Sequence, residues 1–458
     1  MPHTESVAGR TSGILGRHYR LITIGALAIV FLSAFENLAV TTIMPVISRQ
    51  LDGASLYAVA FAGPFAVGVV GMVLAGNWSD RRGPRLPLYG SVLVFAIGLL
   101  LAGLATSMVA LVIGRLVYGF AGGATTVALY VIVGRFYPDS LQPRIFGAFA
   151  AAWVVPALVG PAIAGIVSDT IGWRWVFLGV VALVVVAMVM VVPAMREIAA
   201  SGGDESVGWS FGRLGWSVLL AVAVLALGVS GELPSPFSFA AAVVALVVAL
   251  VAARPLLPPR SLRGGRGLPS VILLRAVIAG AYFGAEVYLP YLLTTQFHLS
   301  PALAGLSLTG AGIAWGGASL LQGRAGNTLG ARAAVRLGIA GVVIAIVASL
   351  ITALFGLPVW IAIVGWAVGG AGMGTIIPRL SVLMLAYSDP TNQGFNSAAL
   401  SIADAVGPSV ALAIAGILFA SITTGGTAAF SGVFFLVLAI AVAAFALSGR
   451  VTNAGRYG

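Results

Sequence analysis

Glu36, Arg115, Glu286 and Asp404 stand inside long stretches of sequence that are otherwise almost wholly apolar. An ionised side chain in hydrocarbon costs roughly 2.5–3.5 kcal/mol on insertion scales, so such a group marks a working site by default. Three carboxyls and a guanidinium can hold and release protons, pair with one another, or receive a charged group of a ligand. The residue types point away from metal chemistry: the 458-residue chain has no cysteine, and His3, His18 and His298 are too scattered for a metal motif. All 24 cationic residues are arginine, so a Walker-type nucleotide loop, which needs a lysine, is excluded.

The elements that must position these groups follow from composition. Hydrophobic residues make up 60% of the chain and charged residues 8%, against roughly 25% charged in a soluble domain. A water-facing surface cannot be assembled from so few charges. Stretches long enough to cross a ~30 Å hydrocarbon core as helices fall at about 21–48, 56–77, 86–106, 108–134, 145–168 and 174–194. Two shorter ones follow at 214–231 and 236–253, then six at 270–296, 301–323, 333–354, 357–386, 395–421 and 426–448. The chain reads as an all-α polytopic membrane protein with fourteen transmembrane helices. The first run is too long for a signal-peptide core and lacks a small-residue cleavage site, so a retained helix is expected.

The net charge of +11 has its use in orientation, and no nucleic-acid partner is expected. With the N-terminus inside, the inner segments carry nineteen arginines, among them Arg10, Arg81, Arg82, Arg85, Arg135, Arg144 and Arg456, and the outer loops carry two, Arg49 and Arg174. Dropping one span would swap the side of every later loop and destroy this bias. Both termini are therefore expected on the cytoplasmic side of the cytoplasmic (inner) membrane. A rise of 1.5 Å per residue places Glu36 ~22 Å from the inner end of its helix and Arg115 ~12 Å from the outer end of its own. In a ~30 Å core the two depths nearly coincide. Asp404 lies ~13 Å from the inner face, with Asn396, Ser397 and Ser401 as alternative partners on its own helix. Glu286 sits in the run Tyr282-Phe-Gly-Ala-Glu286-Val-Tyr288-Leu-Pro290-Tyr291. An acid among aromatics can hold a cationic or polar-headed ligand; a hydroxyl-satisfied carboxylic acid facing the bundle is the other reading.

The chain also repeats itself. Gly76-Asn-Trp-Ser-Asp80-Arg81-Arg-Gly83-Pro-Arg85 has a counterpart 247 residues later in Gly323-Arg-Ala-Gly-Asn327-Thr-Leu-Gly330-Ala-Arg332. Gly160-Pro161 recurs as Gly407-Pro408 at the same displacement, and Gly114, Gly119 and Gly123 parallel Gly365, Gly370 and Gly374 at 251. Spans 1–6 and 9–14 are thus two related halves, and spans 7 and 8 read as an inserted hairpin of aliphatic, lipid-facing spacers. Parallel six-helix repeats with a site near the midplane are a transporter arrangement.

On these residues the sequence resembles the major facilitator superfamily, and within it the fourteen-helix drug:proton antiporter branch. Gly76, Asp80, Arg81, Gly83 and Arg85 match the superfamily's loop signature, and Glu36 to Pro45 keeps the branch's acid-to-proline spacing. Gly114-Arg115 with Gly119 resembles its arginine motif, and Gly160-Pro161 with Gly165 its antiporter motif. The resemblance implies an N-terminal tail at 1–20, a six-helix bundle at 21–195, linker segments and the inserted helices at 196–268, a second bundle at 269–449 and a tail at 450–458.

The resemblance further implies a central cavity lined by helices 1 and 4, so Glu36 and Arg115 are expected close enough to interact, as a proton-coupling pair or as a static tie between helices. Asp404 is the acid it implies in helix 13, and Tyr282, Tyr288, Glu286, Trp153 and Trp366 are candidates for the cavity wall. The loop charges are expected to latch neighbouring helix ends, and a solvated positive-inside loop is the plainer alternative for its arginines. Proline at Gly160-Pro161 and Gly407-Pro408 is expected to bend two helices where the halves pivot. The implied function is export of lipophilic or amphipathic small molecules against inward proton flow, with no cofactor and no metal. Export of an endogenous lipid or metabolite, and substrate:proton symport, remain open. An intramembrane enzyme would need clustered acids or histidines at one face, and the sequence has none.

Overall fold

The computed structural model describes residues 13–53, 56–197, 204–230, 237–299, 301–325, 329–422 and 426–452. The tail residues Arg10 and Arg456 and the loop residue Asn327 lie outside them. The described backbone forms sixteen α-helices. The first half holds α1 (Arg20–Gln50), α2 (Tyr57–Arg82), α3 (Arg85–Gly103), α4 (Met108–Phe136), α5 (Gln142–Ala151), α6 (Val154–Thr170) and α7 (Arg174–Glu197). An inserted hairpin follows, α8 (Phe211–Val229) and α9 (Phe237–Ala253). The second half holds α10 (Leu268–Glu286), α11 (Tyr288–Thr295), α12 (Pro301–Ala325), α13 (Ala331–Phe355), α14 (Trp360–Ala386), α15 (Gln393–Ser421) and α16 (Thr427–Leu447). Among the described residues thirteen helical stretches are long and apolar enough to cross a membrane, α5 with α6 and α10 with α11 each making one of them, and the Arg174–Val189 part of α7 is a further, shorter apolar helix.

Proline determines where two spans break. A proline ring clashes with the carbonyl four residues earlier and deprives it of its helical donor. Pro156 and Pro290 stand four residues after Ala152 and Glu286, and there the helices stop. The prolines from which bends are expected interrupt neither helix: Pro161 lies within α6 and Pro408 within α15. Pro64 and Pro378 also lie inside helices, α2 and α14. Their freed carbonyls, on Ala60 and Gly374, accept from Arg115 Nε at 2.7 Å and Ser319 Oγ at 2.9 Å. Pro408 frees the carbonyl of Asp404 in the same way.

Lipid gives helices little hydrophobic reason to associate, so close packing rests on small residues. The repeat is visible in that packing: Gly119 and Gly123 of α4 face Pro64 and Gly68 of α2, and Gly370 and Gly374 of α14 face Ala311 and Trp315 of α12. In each half α1–α6 or α10–α15 form a further contact, with Gly160 near Phe35 and Gly407 against Ala276. The halves meet through α2 with α15, where Gly76 faces Gly394, and through α5 with α12, where Gly147 faces Ser319. Both contacts lie toward the end that carries the Arg-rich loops. The hairpin is more than a lipid-facing spacer, since Leu220, Ala221 and Val224 of α8 share a buried cluster with Ala66, Val69 and Val73 of α2 and with Ile402 and Val406 of α15.

A methyl placed on Gly123 would lie 2.1 Å from the Gly68 carbonyl oxygen, whereas one on Gly122 meets nothing within 4 Å. Overpacking of this kind costs about 1–3 kcal/mol. Gly123→Val should lower the thermal unfolding temperature of the purified protein by several degrees, and Gly122→Ala should leave it level or raise it. Equal temperatures for the two variants would show that the α2–α4 contact does not limit stability.

Candidate functional site

Glu36 lies on α1 and Arg115 on α4, and their side chains are 1% and 3% exposed. Arg115 Nη1 donates to Glu36 Oε1 at 2.8 Å while Nε donates to the Ala60 carbonyl of α2, so one guanidinium ties three helices. The Phe61 and Tyr118 rings flank its plane. Tyr118, which also lies against the carboxylate, accepts from Asn37 Nδ2 at 2.9 Å. Glu36 Oε2 is buried without a hydrogen-bond partner. The depth arithmetic therefore identified a contact, and that contact is sealed in this conformation.

The second half holds a matching pair whose cation sequence reasoning missed. Arg275 of α10, 3% exposed, binds both oxygens of Asp404 on α15, through Nε to Oδ1 and through Nη2 to Oδ2 at 2.7 Å. Its Nη1 donates to the Ile377 carbonyl at 2.8 Å and to Ser381 Oγ at 3.4 Å, both on α14. Tyr130, on α4 of the first half, lies near Arg275 and Asp404 of the second. Asp404 keeps 35% of its side chain exposed. The signal for Arg275 was the same as for Arg115, a charge within an apolar run, but it lies within two turns of the arginine-bearing linker and merges with it. Asn396 and Ser397, offered as partners for Asp404, bind Ser388, Asn392 and Met384 instead.

Glu286 ends α10 at the Pro290 break, partly buried and without an ion-pair partner among the described residues. Past the break an aromatic cluster begins: Tyr288 and Tyr291 lie 5.3 and 5.6 Å from Phe419, and Tyr291 lies 5.2 Å from Phe430. Tyr282 and Trp366 stack at 4.9 Å, are 1% and 0% exposed, and offer no face to a cavity in this conformation. Trp315, edge-on to Tyr282, is the partly exposed member of that group. Trp153, 45% exposed, stands at the α5–α6 break.

At the Arg-rich end, Asp80 closes the interface between halves. Its Oδ1 accepts from Gly394 N at 2.6 Å and its Oδ2 from Phe395 N at 2.9 Å, capping α15 from the other half. Arg135 Nη2 reaches the Ser79 carbonyl at 3.1 Å and the Pro390 carbonyl at 2.7 Å. Gly83 ends α2 at φ +78°, a conformation that favours glycine. Arg85 leans over Tyr89, and Arg81 Nη1 donates to the Val207 carbonyl at 3.3 Å. That last contact belongs to a docking that the sequence did not announce. Residues 204–210 lie along the end of α2, with Asp204 N donating to the Asp80 carbonyl and Ser210 N to Asn77 Oδ1. Hydrogen bonds from Ser206 hold the Asp204 carboxyl below its ordinary range. Arg213 stacks on Phe395 at 4.2 Å, and a cavity of about 220 Å³ remains between α2, this segment and α15.

Removing one member of a buried ion pair strands the other, at about 3–5 kcal/mol. Arg115→Leu should therefore destabilise the protein by about that amount, and Glu36→Leu combined with Arg115→Leu should recover most of it, as read by chemical or thermal unfolding. A double variant no more stable than Arg115→Leu would show that Arg115 acts through the Ala60 carbonyl alone.

A family model described as Major Facilitator Superfamily matches residues 26–281. A probable multidrug-efflux transporter of Mycobacterium tuberculosis is 27% identical over 100% of this chain and 99% of its own. A multidrug efflux pump of Staphylococcus aureus is 24% identical over 64% of this chain and 67% of its own. Among solved structures, a human organic anion transporter superposes with a TM-score of 0.70 at 13% identity, covering 94% of this chain and 99% of that one. A proton:xylose symporter gives 0.64 at 14% identity, over 92% and 94%. With two six-helix halves, an inserted hairpin and a family match over more than half its length, the chain belongs to the major facilitator superfamily of membrane transporters, which are not enzymes and need no cofactor.

Proposed function

We propose that the protein is a proton-coupled antiporter of the cytoplasmic membrane, with both termini cytoplasmic, that exports lipophilic or amphipathic small molecules by alternating access. The Arg275–Asp404 pair carries this reading. It is a charge pair at membrane depth whose acid keeps a third of its side chain exposed while its cation is buried, so the acid can exchange a proton without unburying the arginine. Glu36, sealed against Arg115, is the acid that would change accessibility when the halves move. Gly76, Asp80, Arg81, Gly83 and Arg85 form the latch of the cytoplasmic end, held by the Asp80 cap on α15. The unpaired Glu286 and the aromatic rings of Tyr288 and Tyr291 receive the substrate. Gly160-Pro161 and Gly407-Pro408 remain the proposed pivots, the second at a tight contact of α15 with α10 and the first at an ordinary van der Waals contact of α6 with α1. The printed names of the curated relatives supply the drug class.

Proteoliposomes carrying an internal pH dye and an imposed proton gradient test this. Addition of a transported lipophilic dye should dissipate the gradient, with dye and protons moving in opposite directions. Asp404→Asn should abolish the coupling while the protein still folds and inserts. Parallel movement of dye and protons would establish symport, and dye movement insensitive to pH would overturn proton coupling.

A further inference from the structure

Arg81, Arg85, Arg135 and Arg213, at the Arg-rich end of the first half and the hairpin, each meet a carbonyl or an aromatic ring of the protein. In the linker that leads into α10, Arg260, Arg263 and Arg266 are exposed and have no side-chain partner among the described residues. Their loop is nonetheless fixed. Arg260 takes φ +68°, a left-handed conformation uncommon for so large a side chain, with Gly264 at +61° and Gly267 at +79°. Gly265 N donates to the Arg260 carbonyl at 3.2 Å, and Ser270 Oγ donates to the Gly264 and Gly265 carbonyls. The loop is pinned to the end of α16, where Gly267 N donates to the Arg450 carbonyl at 2.9 Å and Arg450 Nη1 to the Gly264 carbonyl at 3.2 Å. Arg336 of α13 adjoins them: its Nε donates to Ser448 Oγ at 3.2 Å, and its guanidinium lies over the Phe445 ring of α16.

These guanidiniums share one rim, and no carboxylate answers them. Residues 254–267 and helices α13, α14 and α16 carry no acid. Glu286 lies at the opposite end of α10, and Asp389, in the turn after α14, forms no ion pair among the described residues. Positive charge orients a membrane chain wherever its side chains point, and that task needs no folded loop joined to two helices. Apolar surface continues from the rim: Leu262 is 47% exposed in the loop, Leu337 and Ile344 are exposed along α13, and Phe445 and Val442 along α16. Ile344 lies ~10 Å deeper than Leu337 by helical rise. A guanidinium matches the geometry of a phosphate. Free phosphate would leave the apolar tract unused, whereas a phospholipid engages both surfaces. We propose that Arg260, Arg263, Arg266, Arg336 and Arg450 bind the phosphate-bearing headgroup of an anionic phospholipid, whose acyl chains lie along α13 and α16. The site requires only that the chain spans a membrane, whatever drives transport. Arginine keeps its charge at every cellular pH, so occupancy responds to salt and not to pH.

Native mass spectrometry of the purified protein in detergent, titrated with phosphatidylglycerol or with phosphatidylcholine, tests the site. Phosphatidylglycerol should bind the parent protein more tightly. Each arginine close to an anionic headgroup contributes about fivefold in affinity, so Arg260→Gln, Arg263→Gln and Arg266→Gln together should weaken phosphatidylglycerol by at least about tenfold. Removing the same charge elsewhere at that end, by Arg17→Gln, Arg20→Gln and Arg82→Gln, all at exposed positions, should leave the affinity level. Equal weakening by the two triple variants would reveal a diffuse field and overturn a local site. Equal binding of the two lipids to the parent protein would overturn recognition of the headgroup charge. Glycerol phosphate that displaces phosphatidylglycerol at equal concentration would overturn the lipid in favour of a soluble phosphate. The substituted linker arginines make no side-chain contact within the protein, so an unchanged unfolding temperature in lipid-free detergent is expected, and it separates lost binding from lost fold.

Discussion

A guanidinium cannot shed its charge at any pH a cell reaches, so an arginine inside a bilayer must find an anion and satisfy its remaining donors in place. Two arginines set the architecture here in the same manner. Arg115 of α4 takes the Glu36 carboxylate of α1 and the Ala60 carbonyl of α2. Arg275 of α10 takes the Asp404 carboxylate of α15 and the Ile377 carbonyl of α14. Each cation thus knits three helices of its own half into one body. Arg115 lies nearer the Arg-poor end and Arg275 nearer the Arg-rich end, about 10 Å in from each by helical rise. Two stiff halves with charges at staggered depths suit motion between bodies better than within them.

Within a half, glycine lets backbones touch, as Gly123 does against Gly68 and Gly374 against Trp315. Between halves, glycine also brings backbones together, Gly76 against Gly394 and Gly147 against Ser319, and polar ties are added: the Asp80 cap on α15 and the Arg135 reach to Pro390. Apolar surface contributes as well, since α8 lies on α2 and α15 together and shares their buried cluster. The polar ties exchange for water at little net cost when an interface opens.

Much of this was legible in the chain. The crossings came from apolar length, and the glycine pairs displaced by 251 residues are used identically on α4 and α14. The Glu36–Arg115 contact followed from depth together with a family resemblance. What escaped was set by tertiary context. Arg275 is distinguishable from a loop arginine only once the start of α10 is known. The helix breaks fall four residues before Pro156 and Pro290, while Pro161 and Pro408 are carried through, and nothing local tells these prolines apart. Tyr282 and Trp366 belong to the right helices but stack on each other inside the second half. The docking of residues 204–210 on α2 is made largely through backbone groups, which a residue pattern does not encode.

Asp404 and Glu286 share one further property, since each is followed four positions later by a proline, Pro408 and Pro290. At each acid the main-chain oxygen is left short of its helical donor, and at Glu286, whose carboxyl has no ion-pair partner among the described residues, two acceptors lie on one residue. Such a doublet of acceptors is too polar to stay dry, because one bridging molecule of solvent can satisfy both at small entropic cost. A demand for solvent is thereby written into the covalent chain at Glu286, ahead of any rearrangement of side chains.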